Sequence, residues 1–199
     1  MKSNVCKIEK GTKDLEAILN ESERVASYNQ LNHKQTLQLR LLCEEIDGML
    51  PNIIDDFEGD LWIDYEEGVC KVNVSIRIPE FDSNKKDELI GISKNKKNAA
   101  AVGIAGKIRC AIENFFLNGE ATGAFDAAAR TVYFSTGYGE GMDYSYLWSL
   151  DQYRNKVKKN EEAEAWDELE KSVIASVADD VVVGVKGKQA DIIIVKKFA

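Results

Sequence analysis

Residues 4–9, VCKIEK, alternate apolar and polar positions, the period of a short edge strand. Beyond Gly11 the period changes. Leu15, Ile18, Leu19 and Val25 mark one face of a helix predicted over residues 13–28, which Thr12 can cap. A second helix is predicted over residues 32–50, where Leu39, Leu42, Ile46, Met49, Leu50 and Ile53 fall at offsets of 3, 7, 10, 11 and 14. A stripe that broad packs flat on a sheet. Pro51 lacks an N–H and disfavours helical geometry at Leu50, so the spacing predicts a kink or an end there.

Residues 59–66 and 69–78 give the clearest hairpin. Leu61, Ile63 and Tyr65 alternate with polar neighbours, as do Val72, Val74, Ile76 and Ile78, and Glu66-Glu67-Gly68 supplies the turn. Residues 79–98 are polar and rich in Lys and Asn, the pattern of a long loop. Ile104, Ile108, Ile112 and Phe115 predict a helix over residues 99–117, and TVYFST at 131–136 predicts a strand ahead of the turn-rich GYGEGMD. Two helices are expected over 144–159 and 161–177, the second with Trp166, Leu169 and Val173 on one face. VVVGV and DIIIVKKF close the chain as a second hairpin, turning at residues 186–189. Antiparallel pairs without regular βα alternation predict an α+β fold: a two-layer sandwich with a mixed, mostly antiparallel sheet and helices on one face.

Composition narrows the function classes. With 44% hydrophobic and 9% aromatic residues, the 199-residue chain can bury a proper core as a single domain. A formal charge of −8 speaks against nucleic acid and anionic membranes as partners. Cys6, Cys43, Cys70 and Cys110 form no C-x-x-C pair and read as small core residues of a reduced, cytoplasmic protein. No leader-like apolar region opens the sequence and no window has the length of a membrane span. His33 is the single histidine, so Ser-His-Asp, Cys-His and histidine-metal chemistry are all unpromising.

The helix stretch LRLLCEEIDGML, the hairpin after it, the polar loop at 79–98, and GVKGK before the last strand together carry a resemblance. The chain resembles the GHKL ATPase domain of gyrase, heat-shock-90 chaperones, histidine kinases and, above all, anti-sigma-factor serine kinases. In that family a strand and helix lead into a helix reading L-x-L-x-x-E-E-x-x-x-N, then a hairpin, a nucleotide lid, another helix and a closing hairpin. The resemblance covers residues 4–78 and 179–198. It implies an ATPase-like core over 1–118 and 179–199, with 119–178 as a strand-plus-helices insertion or elaboration.

The resemblance also implies roles, with ATP and Mg²⁺ as cofactors of an active member. The family's general base maps to Glu45. Its Mg²⁺-ligating Asn, one turn later on the same helical face, maps to Met49. A thioether is too soft for Mg²⁺, which leaves Asp47 or Asn52 as replacement ligands. The D-x-G-x-G adenine motif has no counterpart after Ile78. Phosphates would be received by Gly103, Gly106 and Lys107 at the opening of the helix after the loop, or by Gly137, Gly139 and Gly141. The bland alternatives are close helix packing for Gly103 and Gly106, a turn for the second glycine cluster, and a structural carboxylate for Glu45.

Three functional readings follow. The first is a degenerate ATPase-like regulatory domain that works through a protein partner without hydrolysing ATP. The second is an active ATP-dependent serine kinase or ATPase with rearranged Mg²⁺ ligands. The third is a binder of some other small ligand.

Overall fold

The computed structural model describes residues 1–11, 15–54, 56–77, 103–118, 145–160, 163–186 and 188–198. Its elements are β1 (Cys6–Glu9), α1 (Leu15–Tyr28), α2 (His33–Ile53), β2 (Glu58–Glu66), β3 (Val69–Arg77), α3 (Gly103–Asn118), β4 (Ser145–Ser149), α4 (Leu150–Asn160), α5 (Ala163–Lys171), α6 (Val173–Val177), β5 (Asp180–Lys186) and β6 (Gln189–Lys197). The protein is α+β, a two-layer sandwich of a six-stranded sheet with helices. Each ladder among the described residues is antiparallel, and the spatial order is β1-β2-β3-β6-β5-β4.

The two expected hairpins, the first read from period-2 patterning and the second from two apolar runs, stand side by side at the middle of this sheet. Glu67 and Gly68 turn the first with φ of 49° and 81°, the two left-handed residues that a two-residue hairpin loop needs. The β3–β6 register sets Val72 opposite Ile194, Val74 opposite Ile192 and Ile76 opposite Ala190. With Leu61, Ile63, Val181 and Val183 they make one continuous apolar face, each residue at most 1% exposed. The other face carries the alternate residues, among them Lys7, Asp60, Trp62, Asp64, Ser75 and Asp191.

Helices cover the apolar face. Helix α2 is its centre, packing on α1, α3, α6 and β3. Asn32 caps it: its side chain accepts from Gln35 N while the Gln35 side chain accepts from Asn32 N, a reciprocal capping box. The helix does not stop at Leu50 but continues through Pro51 to Ile53. Pro51 removes only the N–H that would reach the Asp47 carbonyl. Burial of Ile53 holds the last turn, and Ile54 N donates to Leu50 O at 3.0 Å.

Two expectations in the C-terminal half are corrected. Residues 145–149 form β4 and pair with β5 instead of opening a helix, which begins only at Leu150. The single helix expected over 161–177 is two, α5 and α6, broken at Ser172, whose hydroxyl accepts from Ala175 N and caps the second. Leu150, Val157, Leu169 and Ile174 join the same buried cluster as the α2 stripe. The strand expected over 131–136 lies outside the described residues.

The cysteines match their reading as small apolar core residues. No disulfide joins them; Cys6, Cys43 and Cys70 are buried and Cys110 is half-buried. Desolvation pushes the Cys70 thiol up to about 12 and the Cys43 thiol up as well, so both stay protonated at neutral pH. No helix among the described residues is long and apolar enough to cross a membrane.

Candidate functional site

The sequence-derived site has three parts: the acidic side of α2, the opening of α3, and the glycines at 137, 139 and 141. The last three lie outside the described residues. The helices that carry the first two, α2 and α3, pack on each other.

On α2 the stripe Leu39, Leu42, Ile46 and Leu50 faces the sheet, and the carboxylates lie beside it. Glu44 pairs with Arg40 at 3.1 Å, and Arg40 bridges on to Glu23 of α1 at 2.6 Å, so this carboxylate links two helices. Glu45 is half-buried, one turn ahead of Met49. Met49 packs against the core cluster. Its sulfur therefore occupies the position where the resemblance requires a hard oxygen ligand.

Neither replacement ligand converges on Glu45. Asp47 lies about 200° around the helix from it, because each residue advances by about 100°. It is half-buried, and desolvation raises its carboxyl above the ordinary range, which makes it a poorer anion for a cation to recruit. Asn52 returns to the angular position of Glu45, but two turns on, about 10.5 Å along the axis. Its side-chain amide turns back along the helix, Nδ2 lying 3.5 Å from Gly48 O. No group of three or more His, Cys, Asp or Glu among the described residues has metal-site geometry. Met49, Asp47 and Asn52 do not fit a Mg²⁺ coordination shell around Glu45.

Helix α3 opens at Gly103, whose φ of 74° is left-handed, so an L-residue would be strained there. Ile104, Ile108 and Ile112 bury its apolar face. Gly106 is buried in the same helix, in keeping with a packing role. Lys107 lies 5.7 Å from the Tyr153 ring centroid, a cation–π distance. Its ammonium is thus drawn toward α4, while Arg109 is held by Glu113 at 2.7 Å.

Two groupings were not found from the sequence. Tyr153, between Lys107 and Trp148, has ring centroids 5.9 Å apart with the latter, and its hydroxyl is buried with no hydrogen-bond partner among the described residues. A broad cleft of about 680 Å³ lies at one end of the sheet, lined by Lys7, Glu58, Asp60, Ser75, Arg77 and Gln189 among others. Across its strands Lys7 pairs with Asp60 at 2.6 Å and Arg77 with Glu58 at 3.9 Å, and Gln189 Nε2 donates to Ser75 Oγ at 2.7 Å. Gly59 lies at its floor, where a Cβ would stand 2.2 Å from Ser75 O. The signal for this cleft was the polar half of each strand's alternation, but only the inter-strand register places those residues together.

Compared with known protein families, with curated proteins and with solved structures, the chain matches no family model, no curated protein and no solved structure.

Proposed function

We propose that the protein is a degenerate ATPase-like regulatory domain that acts by binding a partner protein and does not hydrolyse ATP. The observation that carries this reading is the side of α2 bearing Glu45. A core-packed Met49 stands where the resemblance puts a Mg²⁺ ligand, and the amide of Asn52 lies two turns beyond Glu45 and is turned back toward Gly48. Phosphoryl transfer rests on electrostatic stabilisation of the phosphates, which a lone carboxylate cannot supply. The family resemblance contributes the idea of a protein partner, and resemblance of fold alone does not establish it.

A thermal-shift titration with ATP and ADP, with and without Mg²⁺, tests the reading, because a ligand selective for the folded state raises the melting temperature. The expected result is no Mg²⁺-dependent shift up to millimolar nucleotide. A Mg²⁺-dependent rise that Glu45→Ala or Asn52→Ala abolishes would overturn it in favour of an active kinase or ATPase.

A further inference from the structure

From the charges around the cleft at the end of the sheet, we infer that the protein carries a binding site for a small zwitterion, a free α-amino acid or a dipeptide, distinct from the Glu45 side of α2. The cleft measures about 680 Å³, within the roughly 300–1,000 Å³ of small-molecule sites. Among its described lining residues Glu9, Glu58 and Asp60 are acidic and Lys7, Arg77 and Lys188 are basic, so the lining is balanced in a chain of formal charge −8. A balanced lining exerts little net pull on a simple anion or cation. It favours a ligand that carries both signs.

The sheet register sorts the two signs onto different strands. Asp60 stands opposite Ser75 and Glu58 opposite Arg77, on the sheet face away from the buried Leu61 and Val74. Strand β2 therefore presents two carboxylates, and β3 a guanidinium and a hydroxyl, across an inter-strand spacing of roughly 4.8 Å. A zwitterion laid across the two strands sets its carboxylate over Arg77 and Ser75 and its ammonium over Glu58 and Asp60. An amino acid or a dipeptide has its opposite charges close enough together to do this; a longer peptide carries them too far apart.

Each of these groups has capacity left for a ligand. The Glu58–Arg77 contact is stretched to 3.9 Å between side chains 73% and 75% exposed. A pair so exposed contributes little to the fold, so a ligand can part it at small cost, and the guanidinium then offers its planar fork to a carboxylate. Gln189 Nε2 donates both to Ser75 Oγ at 2.7 Å and to Asp191 Oδ1 at 3.2 Å. Because Ser75 Oγ accepts from Gln189, its own proton is left to donate to the ligand. Lys7 contacts Oδ1 of Asp60 at 2.6 Å, which leaves Oδ2 to accept from the ammonium.

A chemical-shift titration of the isotope-labelled full chain tests the inference, with alanine and dialanine as probes and N-acetylalanine and alaninamide as controls that each lack one charge. Saturable shifts are expected at the amides of residues 58–60 and 75–77, with a dissociation constant in about the millimolar range. A response to both probes assigns the site to amino acids, and a response to dialanine alone assigns it to dipeptides. Arg77→Ala, an exposed change whose unaltered fold the same spectra verify, should weaken binding by roughly tenfold and erase the preference for alanine over alaninamide. Glu58→Gln should instead erase the preference over N-acetylalanine. Absence of saturable shifts, shifts centred elsewhere, controls that bind as well as the probes, or binding indifferent to Arg77→Ala would overturn it. None of these outcomes bears on nucleotide binding at α2, so this inference and the degenerate-ATPase reading stand or fall separately.

Discussion

Along α2, Leu39, Leu42, Cys43, Ile46, Leu50 and Ile53 are each at most 2% exposed, while Glu45 and Asp47 are half-buried and Asn52 is exposed. The two sides of this one helix have different work to do. The apolar side is held from all directions, by β3 beneath it and by α1, α3 and α6 around it. Among the described residues, the acidic side is held where Arg40 joins Glu44 to Glu23. A chain that keeps the first side and loosens the second keeps a fold while losing the geometry of a reaction centre. That is the physical content of the proposal that this domain is a degenerate ATPase.

The sharpest way to break the comparison is to truncate one residue on each side. Ile46→Ala removes a fully buried side chain from the centre of the core and should cost about 2–5 kcal/mol in urea unfolding, since the cavity adds to the lost burial. Its neighbour Glu45→Ala should move stability by no more than about 0.5 kcal/mol. If the Glu45 change were the costlier, that carboxylate would be a structural anchor, and the division of the helix into a folding side and a vestigial side would fail.

A smaller pair of changes compares the helix's first turn with its exposed back. Asn32→Ala removes the side-chain half of the capping box and should cost about 1 kcal/mol. Gly48→Ala lies in α2 with open space around the new methyl and no positive φ, so it should stabilise by about 0.5–1 kcal/mol. Both are read from denaturant midpoints at unchanged slope. A loss at Gly48→Ala would mean that its bare backbone is needed for a contact.

The same contrast explains what could be read before the fold was known. The α2 stripe was legible because six apolar residues repeat at helical spacing, the first hairpin because Leu61, Ile63, Val72 and Val74 alternate cleanly, and the last because VVVGV and DIIIV are apolar runs separated by a polar turn. Strand β4 was not, because SYLWS is short and runs directly into the helical pattern that starts at Leu150. The break at Ser172 was hidden for a related reason: Leu169 and Val173 stay in phase across it. For the site, a Met at 49, where the resemblance implies an Asn, is visible in the sequence, but that Met49 lies against the core depends on packing that no helical wheel contains. The polar cleft was illegible because Lys7, Glu58, Ser75 and Gln189 come from four strands whose register the sequence does not state.

Asp47 supplies the finest test, because it distinguishes a carboxylate placed for a ligand from one merely caught beside the core. Desolvation raises its folded-state pKa above the ordinary value of about 3.9. The unfolded chain therefore ionises first as pH rises, so the contribution of this group is most favourable below about pH 4 and declines as pH passes up through the raised folded value. Asp47→Asn removes that decline. The variant should melt within a degree or so of wild type at pH 3 and above it at pH 7, by a margin worth less than about 0.5 kcal/mol because the side chain is only half-buried. Melting both proteins between pH 3 and 7 checks this, and a variant that is less stable at pH 7 would mean that the Asp47 anion has a favourable partner. In that case, Asp47 would return as a candidate ligand, and the acidic side of α2 would no longer be the loosened one.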